Sequence, residues 1–290
     1  MIELGPNRYG KSAIRLVRVT RGSGDGGDGG DGGDRVRDLT IAIALEGDFT
    51  AAHTDGDNRL VVATDTMKNT AYAFAAEHLD GAVETYARDL AEHFATFDQV
   101  ERATVEVREH DWAPIETARG PASDAFARRG GATRLAGVSA GHGGVTVSAG
   151  VEELVVMKTT RSSFSGFPRD RYTTLPEAAD RLMATKVTAI WRYGSPDVDF
   201  DEVHAGISRT LLEVFADHDS PSVQASIWII GRAMLERHEE LAEVRMVLPN
   251  LHHWLVDLAP FGLANDREIY VATTEPHGLI EATVRREDLG

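Results

Sequence analysis

The spacing of apolar residues along this chain predicts strands and helices in a repeated order. Alternating apolar and polar positions, which are typical of half-buried strands, occur near residues 9–20, 39–45, 100–109, 132–139, 144–158, 185–194, 242–249 and 267–284. Apolar residues that recur about every 3.6 positions, as on one face of a helix, occur near residues 65–78, 82–97, 199–217 and 221–238. The order strand-strand-helix-helix-strand-strand therefore occurs twice.

This repeated order predicts an α+β fold of two similar units, residues 1–140 and residues 141–290. Each unit offers a mostly antiparallel sheet with two helices on one face. Ser220 is the expected N-cap of the last helix, with Pro221 in its first position. A lone sheet leaves two unpaired edges, and closure with other subunits into a barrel would cover them. The most regular core positions are Leu39, Ile41, Ile43 and Leu45 in one strand, Val83, Tyr86, Ala87, Leu90 and Phe94 in one helix, and Val203, Ile207, Leu211 and Val214 in another.

Residues 22–34 form a low-complexity segment with eight glycines, four aspartates and no apolar residue. Such a segment cannot offset its ordering entropy by burial, so we expect a flexible hairpin loop between the first two strands. The alternative is a calcium-binding repeat. That pattern needs an apolar position in every repeat, and this segment contains none.

Composition narrows the possible functions. A formal net charge of −16 disfavours nucleic acid as a partner, because phosphate binding needs clustered cations. The chain has no cysteine, which excludes disulfides and thiolate metal sites and fits a reducing compartment. No apolar run approaches the roughly 20 residues that span a bilayer, and no secretory or peroxisomal signal is evident, so we expect no membrane partner and a cytoplasmic location.

Five short motifs carry the candidate chemistry. They are Tyr9-Gly10-Lys11; ATDTMKNT at residues 63–70; FSGFPRDRYTTL at residues 164–175, followed by Arg181; SVQ at residues 222–224; and LPNLHHW at residues 248–254. In this order and spacing they resemble the urate oxidase (uricase) family over nearly the whole chain. Residues 115–135 resemble that family only loosely, with Asp124 where a histidine is expected, so the detail of this loop is open.

The resemblance implies the tunnelling fold (T-fold), with two such units in each subunit. It also implies a homotetramer of stacked barrels with active sites at subunit interfaces, in which Lys11 and Thr64 come from one chain and the urate-binding residues from its neighbour. The implied reaction oxidises urate with O2 and water to 5-hydroxyisourate and H2O2, and it uses no cofactor and no metal.

The family's urate-binding positions correspond to Phe164, Leu175, Arg181, Val223 and Gln224. Urate is a flat anion with alternating donors and acceptors, so a guanidinium fork from Arg181 and an amide from Gln224 could hold opposite edges of its ring. By resemblance, Phe164 stacks under the purine and Leu175 lines the pocket. Val223 and Gln224 open a helix, where free amides and the helix dipole favour an anion.

The family's proton relay corresponds to Lys11, Thr64 and His252. A threonine hydroxyl is too weakly acidic to act alone, so a lysine kept neutral by burial and an imidazole would draw its proton away. By resemblance, Asn250 lies beside the oxygen. Thr64, Asp65 and Asn250 are also assigned to the urate-binding set, and we expect Asp65 to cap the following helix and so fix Thr64.

Two other functions remain as alternatives. A pteridine- or other purine-handling relative of the same fold would rely on a glutamate anchor and often on zinc ligands, which are not found at the matching positions. A non-catalytic urate-binding protein would keep Arg181 and Gln224 and lose the relay. The adjacent His252 and His253 point to opposite faces of an extended segment, so they do not form a metal site, and His253 is interpreted as a packing residue.

Overall fold

The computed structural model describes residues 2–22 and 33–287 and shows groups of strands alternating with groups of helices. The first part of the chain contains β1 (Tyr9–Thr20), β2 (Arg35–Gly47), α1 (Thr50–Thr54), α2 (Thr64–His78), α3 (Val83–Ala95), β3 (Val100–His110), β4 (Trp112–Thr117), β5 (Gly120–Arg128) and β6 (Thr133–Gly141). The remainder contains β7 (Gly144–Lys158), β8 (Met183–Tyr193), α4 (Phe200–Asp217), α5 (Val223–Arg237), β9 (Leu241–Leu255), a 3-10 turn (Ala259–Phe261) and β10 (Tyr270–Arg285).

The chain divides into two compact units. The first contains the chain up to Gly150 together with Arg192–Glu202, and the second contains Val151–Trp191 and the chain from Val203 onward. The strand order is β1-β2-β3-β6-β7 in the first unit and β7-β8-β9-β10 in the second, because β7 runs through the boundary at residue 150. The pairings β1–β2, β2–β3, β3–β6 and β9–β10 are antiparallel.

Helices cover one sheet face in each unit, as the sequence predicts. In the first unit α3 packs on β3 and β6, and in the second α5 packs on β9 and β10. Burial of a large apolar side chain contributes roughly 1.5–3 kcal/mol, so these faces are the main source of stability. The predicted core positions of β2, α3 and α4 are all buried: Leu39, Ile41, Ile43, Leu45, Val83, Tyr86, Ala87, Leu90, Phe94, Val203, Ile207, Leu211 and Val214.

Three segments differ from the sequence predictions or lie outside what the structure describes. Residues 115–135 are not simply a loop: β4 and β5 pair as a hairpin, with Trp112 opposite Arg128. Both strands are largely exposed, so no apolar period marks them. Strand β9 continues beyond Pro249 to Leu255, although proline offers no amide donor. The predicted hairpin of β1 and β2 is confirmed, but most of the glycine- and aspartate-rich loop, residues 23–32, lies outside the described residues.

Within the described ranges, no helix is long and apolar enough to cross a membrane.

Candidate active site

A cavity of about 520 Å³ opens in the second unit beside the end of β9. Five of the residues predicted from the sequence line it: Phe164, Leu175, Arg181, Asn250 and His252. These residues come from two stretches of chain about seventy positions apart, the irregular segment between β7 and β8 and the end of β9. The structure therefore brings the predicted stacking, charged and oxygen-adjacent positions into one site.

Arg181 is the main electrostatic feature of the cavity. Its side chain is about half-buried, and its guanidinium forms no hydrogen bond or ion pair with any other residue that the structure describes. The guanidinium carbon lies 5.2 Å from the ring centre of Phe164. Burial lowers the pKa of Arg181, but a guanidinium stays charged at neutral pH. A half-buried, uncompensated cation beside an aromatic ring is a site for a planar anion.

A short ladder holds Arg181 and Phe164 next to each other. The Arg181 amide donates to the Ser162 carbonyl at 2.7 Å. Two residues further along, Phe164 and Ala178 exchange both backbone hydrogen bonds, at 2.8 and 2.9 Å. The ring of Phe164 also stacks on Phe167, with centroids 5.0 Å apart. Because the two backbones are paired, the separation of ring and guanidinium does not depend on flexible side chains alone.

The same ladder extends to the segment before α5. Ser220 pairs with Ser162 in a parallel bridge, and the Ser163 amide donates to the Ser220 carbonyl at 2.8 Å. Val223 and Gln224 begin α5 three and four residues later. These two residues do not line the cavity, but their backbone is tied to the segment that presents Phe164.

The predicted N-cap of α5 is wrong by two residues. The cap is Ser222, whose hydroxyl accepts a hydrogen bond from the Ala225 amide at 3.1 Å, and the helix begins at Val223. Ser220 lies before the helix in the bridge to Ser162, and its hydroxyl contacts the Ser226 hydroxyl. The expectation that Gln224 lies in the first helical turn is nevertheless confirmed, and the Gln224 side chain is exposed.

His252 lies on the cavity wall and stacks on Trp254, with ring centres 5.3 Å apart. The pKa of His252 is lowered, mainly by burial and then by the charge of Arg181, with smaller effects of His277 and His253. The imidazole is therefore favoured in its neutral form, as a proton acceptor requires.

A bulge in β10 lies opposite this part of β9. His252 pairs with Thr273 and Asn250 pairs with Gly278, so residues 274–277 of β10 oppose the single residue Leu251. The bulge interrupts the ladder beside the cavity and brings His277 near His252. Bulges commonly occur next to active sites, where they redirect side chains.

Lys11 follows a glycine that its strand pairing requires. A Cβ on Gly10 would lie 1.9 Å from the Ile43 carbonyl oxygen, so no other residue fits without a shift. Directly after Lys11 the register with β2 slips, and Ala13 adopts a left-handed backbone with φ of 56°. The bulge therefore begins at the predicted catalytic lysine, whose side chain is half-buried.

Tyr9 ties the strand of Lys11 to the segment that leads into α2. Its hydroxyl accepts a hydrogen bond from the Val62 amide at 2.8 Å and donates to the Val62 carbonyl at 3.2 Å. Thr64, the first residue of α2, follows two positions later. The two predicted relay residues of the first unit are thus held by one tyrosine.

Asp65 does not cap α2 as predicted. The N-cap is Ala63, which offers no side-chain acceptor, and Asp65 is the second residue of the helix. Its carboxylate accepts hydrogen bonds from Lys68 and, at 2.9 Å, from Asn69. These bonds and the nearby charge of Lys11 lower the pKa of the Asp65 carboxyl.

Several cavity residues were not identified from the sequence. Trp254, Tyr270 and Arg267 line the cavity, and Arg267 donates to the Asp180 carbonyl at 2.8 Å. Trp254 follows His252 at a spacing of two, so a longer prediction for β9 would have placed it on the same face. His253 also borders the cavity, which reaches both sides of β9. In residues 2–22 and 33–287, no three histidine, aspartate or glutamate side chains converge as metal ligands do.

The chain shares its fold with a solved uricase from Arthrobacter globiformis. The two structures superpose with a TM-score of 0.92 at 43% sequence identity, over 99% of this chain and 96% of the other. The protein is therefore an α+β protein of the T-fold class.

Comparison of sequences assigns the family. A model of the uricase family matches residues 7–139 and 147–281. The uricase of Arthrobacter globiformis is 43% identical over 99% of this chain and 91% of its own length. The uricase of Dictyostelium discoideum is 35% identical over 99% of this chain and 98% of its own length. The chain belongs to the uricase family and is an enzyme, an oxidoreductase.

Proposed function

We propose that this enzyme oxidises urate with molecular oxygen and water, releasing 5-hydroxyisourate and hydrogen peroxide. The observation that carries the proposal is the unpaired guanidinium of Arg181 beside the Phe164 ring, in a cavity of about 520 Å³. Membership of the uricase family supports the same substrate. A planar purine anion would stack its π-face on the Phe164 ring, and its negative charge would pair with the Arg181 guanidinium.

Binding is assigned to the second unit. Arg181 would hold one edge of urate with its fork, and Gln224 and the Val223 amide the other edge. Phe164 would stack on the urate ring, and Leu175 would form part of the cavity wall. The ladder that joins the start of α5 to Phe164 would hold Gln224 and Val223 near the same urate molecule.

Proton transfer is assigned to Lys11, Thr64 and His252. Urate that loses a second proton becomes electron-rich enough to reduce oxygen directly. Lys11 would draw the Thr64 proton and His252 would accept it further on, which its lowered pKa favours. Asn250 would hold oxygen and then the water that hydroxylates the oxidised ring, and Asp65 would orient Thr64. The proposed chemistry uses no metal and no organic cofactor.

We propose that the complete site forms between subunits of a homotetramer. Lys11 and Thr64 would come from one chain, and the cavity from its neighbour. This arrangement would also cover exposed apolar residues of the cavity, such as Trp254 and Leu255. No nucleic acid or membrane partner is part of the proposal, and the cytoplasm remains a prediction from the cysteine-free sequence.

The test follows urate absorbance, oxygen uptake and peroxide release together on protein stripped of metal with a chelator. The proposal predicts consumption of urate and oxygen at one to one, with one peroxide formed and no stimulation by added metal. Binding of urate without oxygen uptake would instead identify a urate-binding protein. A reaction that needs added metal would refute the cofactor-independent mechanism.

A further inference from the structure

A buried lysine ends strand β7 just before the segment that carries Phe164. Lys158 is only 6% exposed, and its ammonium donates to the carbonyls of Phe215, Ala216 and His218 at 2.9, 3.1 and 2.6 Å. The last carbonyls of a helix have no partner within the helix, and a cation there is favourable. Lys158 thus closes the C-terminal end of α4 with all three of its donors.

Arg161 strengthens the same attachment from the other side. Its guanidinium donates to the Asp217 carbonyl at 2.8 Å and to the Ala216 carbonyl. Its own carbonyl accepts the Ser220 amide at 2.9 Å. The end of α4 and the loop that follows are therefore fastened to the segment between β7 and Phe164 by both side chain and backbone.

A buried chain of hydroxyls continues from this attachment to the start of α5. His218 must donate through Nδ1 to the Val214 carbonyl at 2.7 Å, because a carbonyl only accepts. Burial, and less strongly the charge of Lys158, lowers the pKa of His218, so the ring is neutral and its Nε2 accepts from Ser226 at 2.8 Å. Ser220 then donates to the Ser226 hydroxyl at 2.8 Å. Ser220 is thereby fixed by side chain as well as backbone.

We propose that Lys158 is a positioning residue for the urate-binding side of the site. By holding the end of α4, Lys158 fixes the position of Ser220, and Ser220 pairs with the segment that presents Phe164 and Arg181. This inference depends on the proposed function for its substrate. It assigns Lys158 to the geometry of urate binding and not to the proton relay, so its loss weakens urate binding more than it slows turnover.

The test compares Lys158→Met with Lys186→Met, a matched change at an exposed lysine of β8 that pairs with Glu153. Urate KM and kcat are measured well below the melting temperature, and urate Kd is measured by dialysis without oxygen. We expect Lys158→Met to raise KM and Kd at least about tenfold, equivalent to about 1.4 kcal/mol, and to change kcat less than about threefold. Lys186→Met should match the wild type.

A lysine that only stabilises the fold would give a lower melting temperature with unchanged KM and Kd, and that result overturns the proposal. A loss confined to kcat overturns it as well. If Lys158→Met does not fold, Ser226→Ala decides, because it breaks the hydroxyl chain with little change in volume. A KM raised about threefold or more supports the proposal, and an unchanged KM overturns it. A wild type that binds urate without oxidising it contradicts the proposed function alone, since Kd still tests Lys158.

Discussion

The two units share an order of elements but differ in how complete their candidate chemistry is. In each unit a bulge interrupts the sheet beside a predicted site residue, after Lys11 in β1 and opposite Leu251 in β10. In the second unit five of the predicted residues line one cavity. There the unpaired Arg181 leaves a charge that a ligand can compensate.

In the first unit the Asp65 carboxylate is already held by Lys68 and Asn69. We therefore propose that the second unit holds most of the urate and carries His252, and that the first unit supplies Lys11 and Thr64 to the proton relay. Substitutions in the two units should therefore alter different kinetic constants. Measured values of kcat and KM test this division of roles.

The largest effect is expected in the first unit. Lys11→Met removes the relay's base, and loss of a general acid or base typically lowers kcat by about 10²- to 10⁴-fold. KM should change little, because residues of the second unit line the cavity. Thr64→Ala should also lower kcat, and Lys186→Met serves as the lysine control. A Lys11→Met enzyme whose KM rises while kcat holds would contradict the division.

The next effect belongs to the second unit. Arg181→Ala should raise the urate KM about 10- to 100-fold, because hydrogen bonds to charged groups contribute roughly 1.5–3 kcal/mol. Arg232→Ala is the matched control, since Arg232 is exposed on α5 and pairs with Glu236. Steady-state kinetics with urate as the varied substrate give the result, and an unchanged KM would remove Arg181 from the binding site.

The pH dependence of kcat/KM tests the role of His252 and the influence of Arg181 on it. The pKa of His252 lies below its usual range through burial and then the Arg181 charge, so the neutral imidazole persists as pH falls and is lost only below that lowered pKa. Arg181→Gln removes a positive neighbour and raises the pKa of His252, which should shift the acid limb of kcat/KM to higher pH. A shift to lower pH would show that the limb reports another group.

The smallest effect concerns the tie between β1 and α2. Tyr9→Phe removes both hydrogen bonds to Val62, which should cost about 1 kcal/mol of unfolding free energy and lower kcat a few-fold without altering KM. Urea unfolding and initial rates measure the two effects. Tyr72→Phe, at an exposed tyrosine of α2, is the control, and equal behaviour of the two variants would leave Tyr9 without a role in the relay.

Much of the fold follows from the sequence because burial imposes a period on it. The α3 stripe from Val83 to Phe94 is fully buried, and the helix bounds differ from prediction by a residue or two. The sequence does not predict the β4–β5 hairpin, because most of its residues are exposed or only partly buried and carry no such period. Neither bulge could be read from the sequence, since each depends on how a strand registers with its neighbour.

Short motifs predict the residues of the site, but they do not predict the backbone pairing that holds those residues together. Phe164, Arg181 and His252 were identified from short motifs, and all three line one cavity. The ladder that joins Ser162 to Ser220 involves residues 58 positions apart, with no local signature. The sequence places the cap of α5 at Ser220 for the same reason, because no local signal shows that Ser220 pairs with Ser162 and that the helix begins only at Val223.

The central claim, that Lys11 and Thr64 of one subunit serve the cavity of another subunit, is tested most directly by mixing two inactive variants. Lys11→Met and Arg181→Ala proteins are unfolded together and refolded as mixed oligomers, with wild type refolded alongside as the reference. If each site takes its lysine and arginine from different chains, about one site in four is intact at equal mixing, and about a quarter of wild-type activity returns. Mixed oligomers that form and remain as inactive as either variant alone would show that both residues act from the same chain, contrary to the account.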